Sequence, residues 1–180
     1  MFKKMIRSFL IIVLLTFTIG TFFGCSNSSH KKDAENFIKT VYSPEETDVF
    51  DESNFQVLGE GVPEDKNSEN KLEKYLQDKF KPLMTQDGYN RFSGQNPLIW
   101  LGIAKNQDGM EIKMSNIELT EVKPEKSSDE FEYYDYKFNL GYLKDGKKLD
   151  EQEITGQLRL TEDGLVDDVK QGVLIEVPSY

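Results

Sequence analysis

From residue 33 onward the apolar positions fall into two regimes. Up to about residue 104 they recur at helical spacing, and from Glu111 they recur every second residue. Ala34, Phe37, Ile38 and Val41 stand at i, i+3, i+4 and i+7, which predicts one buried face of a helix, with Asp33 as its cap. Ser43-Pro44-Glu45-Glu46 puts proline at a first helical position and pairs Ser43 with Glu46 as a capping box. It predicts a short second helix from Pro44 to about Phe50. Periodicity then lapses through Gly59, Gly61 and Pro63 to Asn67, with a short strand expected over Gln56 to Leu58. Leu72, Tyr75, Leu76, Phe80, Leu83 and Met84 outline a third helix. Pro82 lacks the N–H that the ladder needs and clashes one turn back, so a break is expected there. Thr85 is placed to cap one more turn, which carries Tyr89 and Phe92. The apolar patch from Asn96 to Ala104, with Trp100 inside it, fits either a buried strand or a short helix.

Beyond Glu111, Ile112 and Met114 share one face while Ile117 and Leu119 are out of phase with them. A bulge near Ser115-Asn116 reconciles the two halves. Pro124 closes this strand, and Glu125 to Asp129 form a polar loop. Tyr134, Tyr136, Phe138, Leu140 and Tyr142 alternate with polar residues, as do Ile154, Gly156, Leu158 and Leu160, and then Val169, Val173, Ile175 and Val177 to the end of the chain. Asp145-Gly146 and Asp163-Gly164 mark the turns. Opposed residues in an antiparallel pair point to the same face, so the alternation fixes the register. A two-residue type I′ loop at Asp163-Gly164 pairs Leu158 with Val169 and Ile154 with Val173. At Asp145-Gly146 a plain two-residue loop sets Phe138 against Glu153, which is wrong for a one-sided core. A longer loop or a bulge is therefore expected, pairing Phe138 with Ile154 and Tyr134 with Leu158.

The first 24 residues read differently. Lys3, Lys4 and Arg7 are followed by an uncharged stretch, almost wholly apolar from Phe9 to Ile19, as in a secretory signal. Phe22-Phe23-Gly24-Cys25, holding the chain's one cysteine, resembles the lipobox of bacterial lipoproteins. The resemblance implies diacylglyceryl transfer to the Cys25 sulfur, cleavage after Gly24 and a mature protein that starts at Cys25. Gly24 suits the pattern, while Phe22 and Phe23 depart from its preference for leucine and small residues. An uncleaved membrane helix and plain secretion are the alternatives, and all three place the folded part outside the cytoplasm. Residues 1–24 are then a lipoprotein signal peptide, 25–32 a flexible tether, and 33–180 one domain, with a cell-membrane, lipid-anchored, extracytoplasmic location.

Charge narrows the partners. The formal net charge is −10, and removing Lys3, Lys4 and Arg7 with the leader, which has no acid, leaves −13. Nucleic acid needs a basic footprint and is not an expected partner. A single cysteine allows no internal disulfide. His30, the one histidine, falls in the expected tether. The sequence has no spaced Cys/His metal set, no calcium loop and no phosphate cradle, so neither a metal nor a cofactor is expected.

Helices followed by an antiparallel meander with one apolar face predict an α+β fold, with N-terminal helices packed on a strongly curved sheet. Gly156, in mid-strand, marks a bend or a close approach. This order of elements, with its final strand, Asp-Gly and strand, resembles the NTF2-like (cystatin-like) fold from about Asp33 to Val177, as seen in small lipoproteins of Gram-positive bacteria. Enzymes of that fold work in the mouth of the cone with a carboxylate and a histidine or tyrosine, and no inward carboxylate–histidine pair exists here. Tyr134, Tyr136, Gln171 and Trp100 are the candidate lining of a ligand pocket, with Tyr136 and Gln171 as an orienting pair. The expectation is a non-enzymatic binding module at the cell surface, held to the membrane through lipid on Cys25. It would bind a protein or a small apolar ligand, and a homodimer is an option. An exported, metal-free NTF2-like enzyme is the alternative. A filled space between helices and sheet would leave only the outer surface for function.

Overall fold

A computed structural model describes residues 29–43, 71–105, 107, 109–123 and 130–179. The leader, Cys25, the start of the tether, the Pro44–Phe50 helix, the 56–58 strand and the loop before Glu130 lie outside the described residues. Among the described residues four α-helices precede an open four-stranded antiparallel sheet in the order β1-β2-β3-β4.

Helix α1 (Ser29–Tyr42) buries the expected face, with Ala34, Phe37 and Ile38 wholly inaccessible. It begins four residues before Asp33, so His30 to Lys32, read as tether, are helical. The apolar stripe begins only in the second turn, because the first turn is polar. An i,i+4 pair, Lys39 with Glu35 at 2.6 Å, supports the exposed side. Helix α2 (Lys71–Phe80) buries Leu72, Tyr75, Leu76 and Phe80. Pro82 ends it in a single 3-10 turn, Lys81–Leu83. Thr85 caps helix α3 (Gln86–Gly94), its hydroxyl oxygen accepting from the Gly88 N–H at 2.9 Å. The ring of Phe37 meets those of Phe80 (6.0 Å) and Phe92 (5.6 Å) edge-on, so one side chain joins three helices. The patch left open between strand and helix forms helix α4 (Ile99–Lys105).

Strands β1 (Met110–Val122), β2 (Phe131–Lys144) and β3 (Lys147–Thr161) pair along nearly their whole length. The β1–β2 register shifts between Ser115 and Glu118, with Asn116 at φ 56, so that Met114 faces Leu140 and Leu119 faces Tyr136 on the same side. In the β2–β3 pair Phe138 faces Ile154 and Tyr134 faces Leu158, as the alternation requires. The loop itself is the tight Asp145-Gly146 turn, both residues at positive φ, and Leu149 is the extra residue of a bulge that corrects the register.

The last hairpin differs from expectation in two ways. Asp163 does not take the positive φ that a type I′ turn needs. The loop instead has three residues, Glu162 to Gly164. It is closed by the Thr161 N–H donating to the Leu165 carbonyl at 2.9 Å, with Gly164 at φ 79. A compensating bulge at Asp167 returns Leu158 to face Val169. Strand β4 (Val166–Gln171) then stops, and Ile154 does not pair with Val173. The apolar alternation through Val177 belongs to a C-terminal segment without ladder pairing.

Two glycines set close approaches. A Cβ on Gly156 would overlap the Tyr136 ring and the Lys170 carbonyl, so the absent side chain lets that ring lie against β3. A Cβ on Gly88 would come within 2.6 Å of the Asp167 carbonyl oxygen and 2.8 Å of that of Val166. Helix α3 therefore seats directly on the outer edge of β4. There Met84 bridges Val166 in parallel, and the Thr85 N–H donates to the Val166 carbonyl at 3.0 Å.

Candidate functional site

The side chains that alternate inward from β2 and β3 are buried against the helical layer. Phe138, Leu140, Tyr142, Ile154 and Leu158 are fully buried, and Tyr134 and Tyr136 nearly so. Tyr42, at the end of α1, reaches into this layer. Its ring lies 4.6 Å from Phe138, and its hydroxyl shares a 3.4 Å hydrogen bond with that of Tyr136. Burial, then the proximity and hydrogen bond of Tyr136, push the Tyr42 phenol far above its ordinary value. Burial also raises that of Tyr136, with the Tyr42 hydrogen bond acting the other way. Tyr134 is raised by burial and by the neighbouring carboxylate of Glu132, to which its hydroxyl donates at 2.8 Å. Phenols held this firmly neutral do not serve as bases near neutral pH.

Among the described residues two sizeable concavities lie on the surface instead. One, of about 580 Å³, lies over the face of the sheet turned away from the helices, and its lining is mainly polar: Glu118, Thr120, Asp135, Lys137, Gln157 and Lys170. Lys137 pairs with Glu118 at 3.2 Å, and Gln157 donates to Asp135 at 2.7 Å. The other, of about 400 Å³, is a groove walled by α3 and α4 on one side and by β4 with the C-terminal segment on the other.

The groove is built from the floor up. Trp100 is 5% exposed and stacks on Tyr42 at 5.9 Å, which carries the aromatic layer of the core outward. Its Nε1–H is buried, with no hydrogen-bond partner among the described residues. Around it stand Ile99 and Ile103, each about half exposed, and Leu174, which is 78% exposed. Asn96 lines the same groove at φ 49, a left-handed backbone that sterics disfavour for a residue with a side chain. The C-terminal wall is held by glutamines in place of a ladder. Gln152 donates to the Leu174 carbonyl at 2.6 Å and accepts from the Glu176 N–H at 3.1 Å. Gln171 donates to the Val173 carbonyl at 2.6 Å, and Gln107 to that of Pro178 at 2.8 Å.

An ionic cluster braces the inner end of the groove. Asp167 accepts from Arg159 at 2.5 and 3.0 Å and from the Thr85 hydroxyl at 2.8 Å. Arg91 reaches the Asp167 backbone carbonyl at 2.7 Å and lies 4.0 Å from Asp168. Partial burial pushes the Asp167 carboxyl up. The Thr85 and Arg159 hydrogen bonds and the charges of Arg159 and Arg91 outweigh it, and the net shift is downward.

Of the four pocket residues named from sequence, Trp100 and Gln171 line the groove. Tyr136 and Gln171 both border the outer-face concavity, yet they do not bond to each other: Tyr136 is engaged by Tyr42 and Gln171 by Val173. Tyr134 borders neither. Ile99, Ile103 and Leu174 were absent from the expected lining, and the apolar 96–104 patch carried the signal for the first two. His30 is not an exposed spacer residue. Its side chain is 17% exposed in the first turn of α1, with Nδ1 3.7 Å from Asp33 and Nε2 4.0 Å from Glu132. Among the described residues no group of three or more His, Cys, Asp or Glu side chains is placed to hold a metal ion. Among them, too, no helix is long and apolar enough to cross a membrane.

No family model matches this chain, and no curated protein does. Among solved structures it is similar to the NMR solution structure of TraH from the Gram-positive conjugative plasmid pIP501. The TM-score is 0.49 and the identity 14%, over 85% of this chain and 98% of that one.

Proposed function

We propose that this chain is an extracytoplasmic lipoprotein with an NTF2-like domain, anchored to the membrane through Cys25, and that it works by docking a partner and not by catalysis. The observation that carries the docking part is the filled interior. The mouth between helices and sheet, where enzymes of the resembled fold work, is occupied by Tyr42, Tyr136, Phe138 and Trp100, all nearly or fully buried. What is left for a ligand among the described residues is surface, and there the groove over Trp100 is more apolar than the outer-face concavity. A groove of about 400 Å³ is within the range of ~300–1,000 Å³ usual for ligand sites. The anchoring part is supported by the uncharged apolar run that ends in Gly24-Cys25. Two acyl chains on one sulfur hold where a single chain binds only marginally, since each buried CH₂ contributes about 0.8 kcal/mol.

Incorporation of labelled palmitate into the expressed chain tests the anchor. The label is expected on the intact protein and is lost in Cys25→Ala; retention of label in that variant overturns the lipid assignment.

A further inference from the structure

We infer that the groove over Trp100 takes a peptide segment that presents bulky aliphatic side chains flanked by lysine or arginine. The inference deepens the docking reading and does not depend on the anchor.

Three observations support it. First, Ile99, Ile103 and Leu174 are 50%, 52% and 78% exposed around one groove. Single exposed aliphatics are ordinary on a protein surface, but a cluster that rims a cavity marks a binding surface. Second, the groove is not purely apolar: Gln95, Asn96 and Gln171 stand in its lining beside the aliphatic side chains. A peptide brings backbone carbonyls and N–H groups that such amides can meet along its length, whereas a plain hydrocarbon brings none.

Third, charge separates the occupants. The chain carries 32 acidic side chains against 22 basic ones. A second copy brings the same excess, and an anionic amphiphile adds to it, so both approach against repulsion. A basic peptide is drawn in. The charged side chains within the groove do not reverse this preference. Arg91 is already committed to the Asp167 carbonyl and lies beside Asp168.

The chain's one tryptophan is the reporter. The full chain, in nanodiscs of zwitterionic lipid with empty nanodiscs as blank, is titrated with three short synthetic peptides: leucine with lysine, leucine with glutamate, and alanine with lysine. The leucine–lysine peptide is expected to shift Trp100 emission saturably. Its affinity should be at least tenfold above that of either control and should fall as salt is raised. Ile103→Asp and Leu174→Asp, separately and together, are expected to weaken it at least tenfold while the thermal midpoint stays unchanged.

Equal binding of the glutamate peptide overturns the charge assignment. Binding untouched by both aspartate variants overturns the groove as the site. A dimer in sedimentation that dissociates in Ile103→Asp, with no peptide response, shows the occupant to be a second copy and also overturns the proposal. None of these outcomes bears on palmitate labelling at Cys25, so the anchor and the groove fail separately.

Discussion

The packed interior and the groove are made of the same kinds of residue, and they meet opposite fates within one aromatic continuum. Phe138, Tyr136 and Tyr42 pack inward and lose nearly all contact with water. Trp100 continues that stack by one ring, and beyond it Ile99, Ile103 and Leu174 face solvent. The inner end is closed by complementary elements. β2 and β3 present one apolar face, α1 lies on it, and α2 packs on α1. The outer end has two walls and no cover among the described residues. The core is therefore the source of stability, and the groove is the region whose alteration stability does not report.

Four changes would sharpen or break that contrast. The largest effect is expected from Phe138→Ala, which removes a ring from a fully buried layer. A loss of about 3–5 kcal/mol in chemical denaturation is expected. Next comes Gly88→Ala, since its Cβ would lie 2.6 Å from a backbone carbonyl of β4. The helix must lift from the strand edge, at about 1–3 kcal/mol by the same measurement. Asp167→Asn, which leaves Arg159 and Arg91 short of a carboxylate, should cost about 1 kcal/mol near neutral pH.

Asp167 also sets a pH signature. Its folded pKa is depressed, so its contribution is present above the ordinary carboxylate pKa of about 3.9 and is lost as pH falls through the lower folded value. The difference in thermal midpoint between wild type and Asp167→Asn should shrink over that acid window. A difference that stays constant would show the cluster to be electrostatically idle. The smallest change in stability is expected from Ile103→Asp, within about 0.5 kcal/mol, because the side chain is half exposed. A loss several times larger would place Ile103 in the core and dissolve the contrast.

The tyrosines offer a test at the other end of the pH scale. Burial raises the phenols of Tyr42, Tyr134 and Tyr136 above the ordinary value. The stability that this represents is complete below about pH 10 and is lost as pH rises further. Tyrosinate absorbance should therefore rise in two stages: exposed phenols titrate first, and these three ionise together with unfolding. A single smooth titration that leaves far-ultraviolet circular dichroism intact would show that the inner layer admits water.

Much of the fold was legible because its signals are local. The break at Pro82, the Thr85 cap and the bulge at Asn116 each follow from a few adjacent residues. So does the Phe138–Ile154 register, where alternation rejected the plain loop and the bulge at Leu149 supplied the remedy. What escaped was decided at a distance. The first turn of α1 has no apolar residue to announce it, so His30 was read as tether. Asp163-Gly164 has the composition of a tight turn. The bulge at Asp167, pinned by Arg159 and Thr85 from other elements, let a three-residue loop reach the same downstream register. Val173 to Val177 alternate like a strand, but the side chain of Gln152 takes the Leu174 carbonyl and the Glu176 N–H, and a glutamine used in that way leaves no periodic trace. The site followed suit. Tyr134 and Tyr136 point inward as alternation demands, and Tyr42, arriving from α1, packs against Tyr136 there, while Trp100 stacks on Tyr42 and floors the groove.

The seating of α3 on β4 constrains how molecules of this kind associate. With Gly88 lying flat on that margin, and Thr85 and Arg91 occupying the Val166 and Asp167 carbonyls, an incoming strand is blocked along the first half of β4. Among the described residues the β1 margin carries no such cover, which favours strand addition there. Pairing through one margin alone terminates at two molecules, whereas fibres need two open margins.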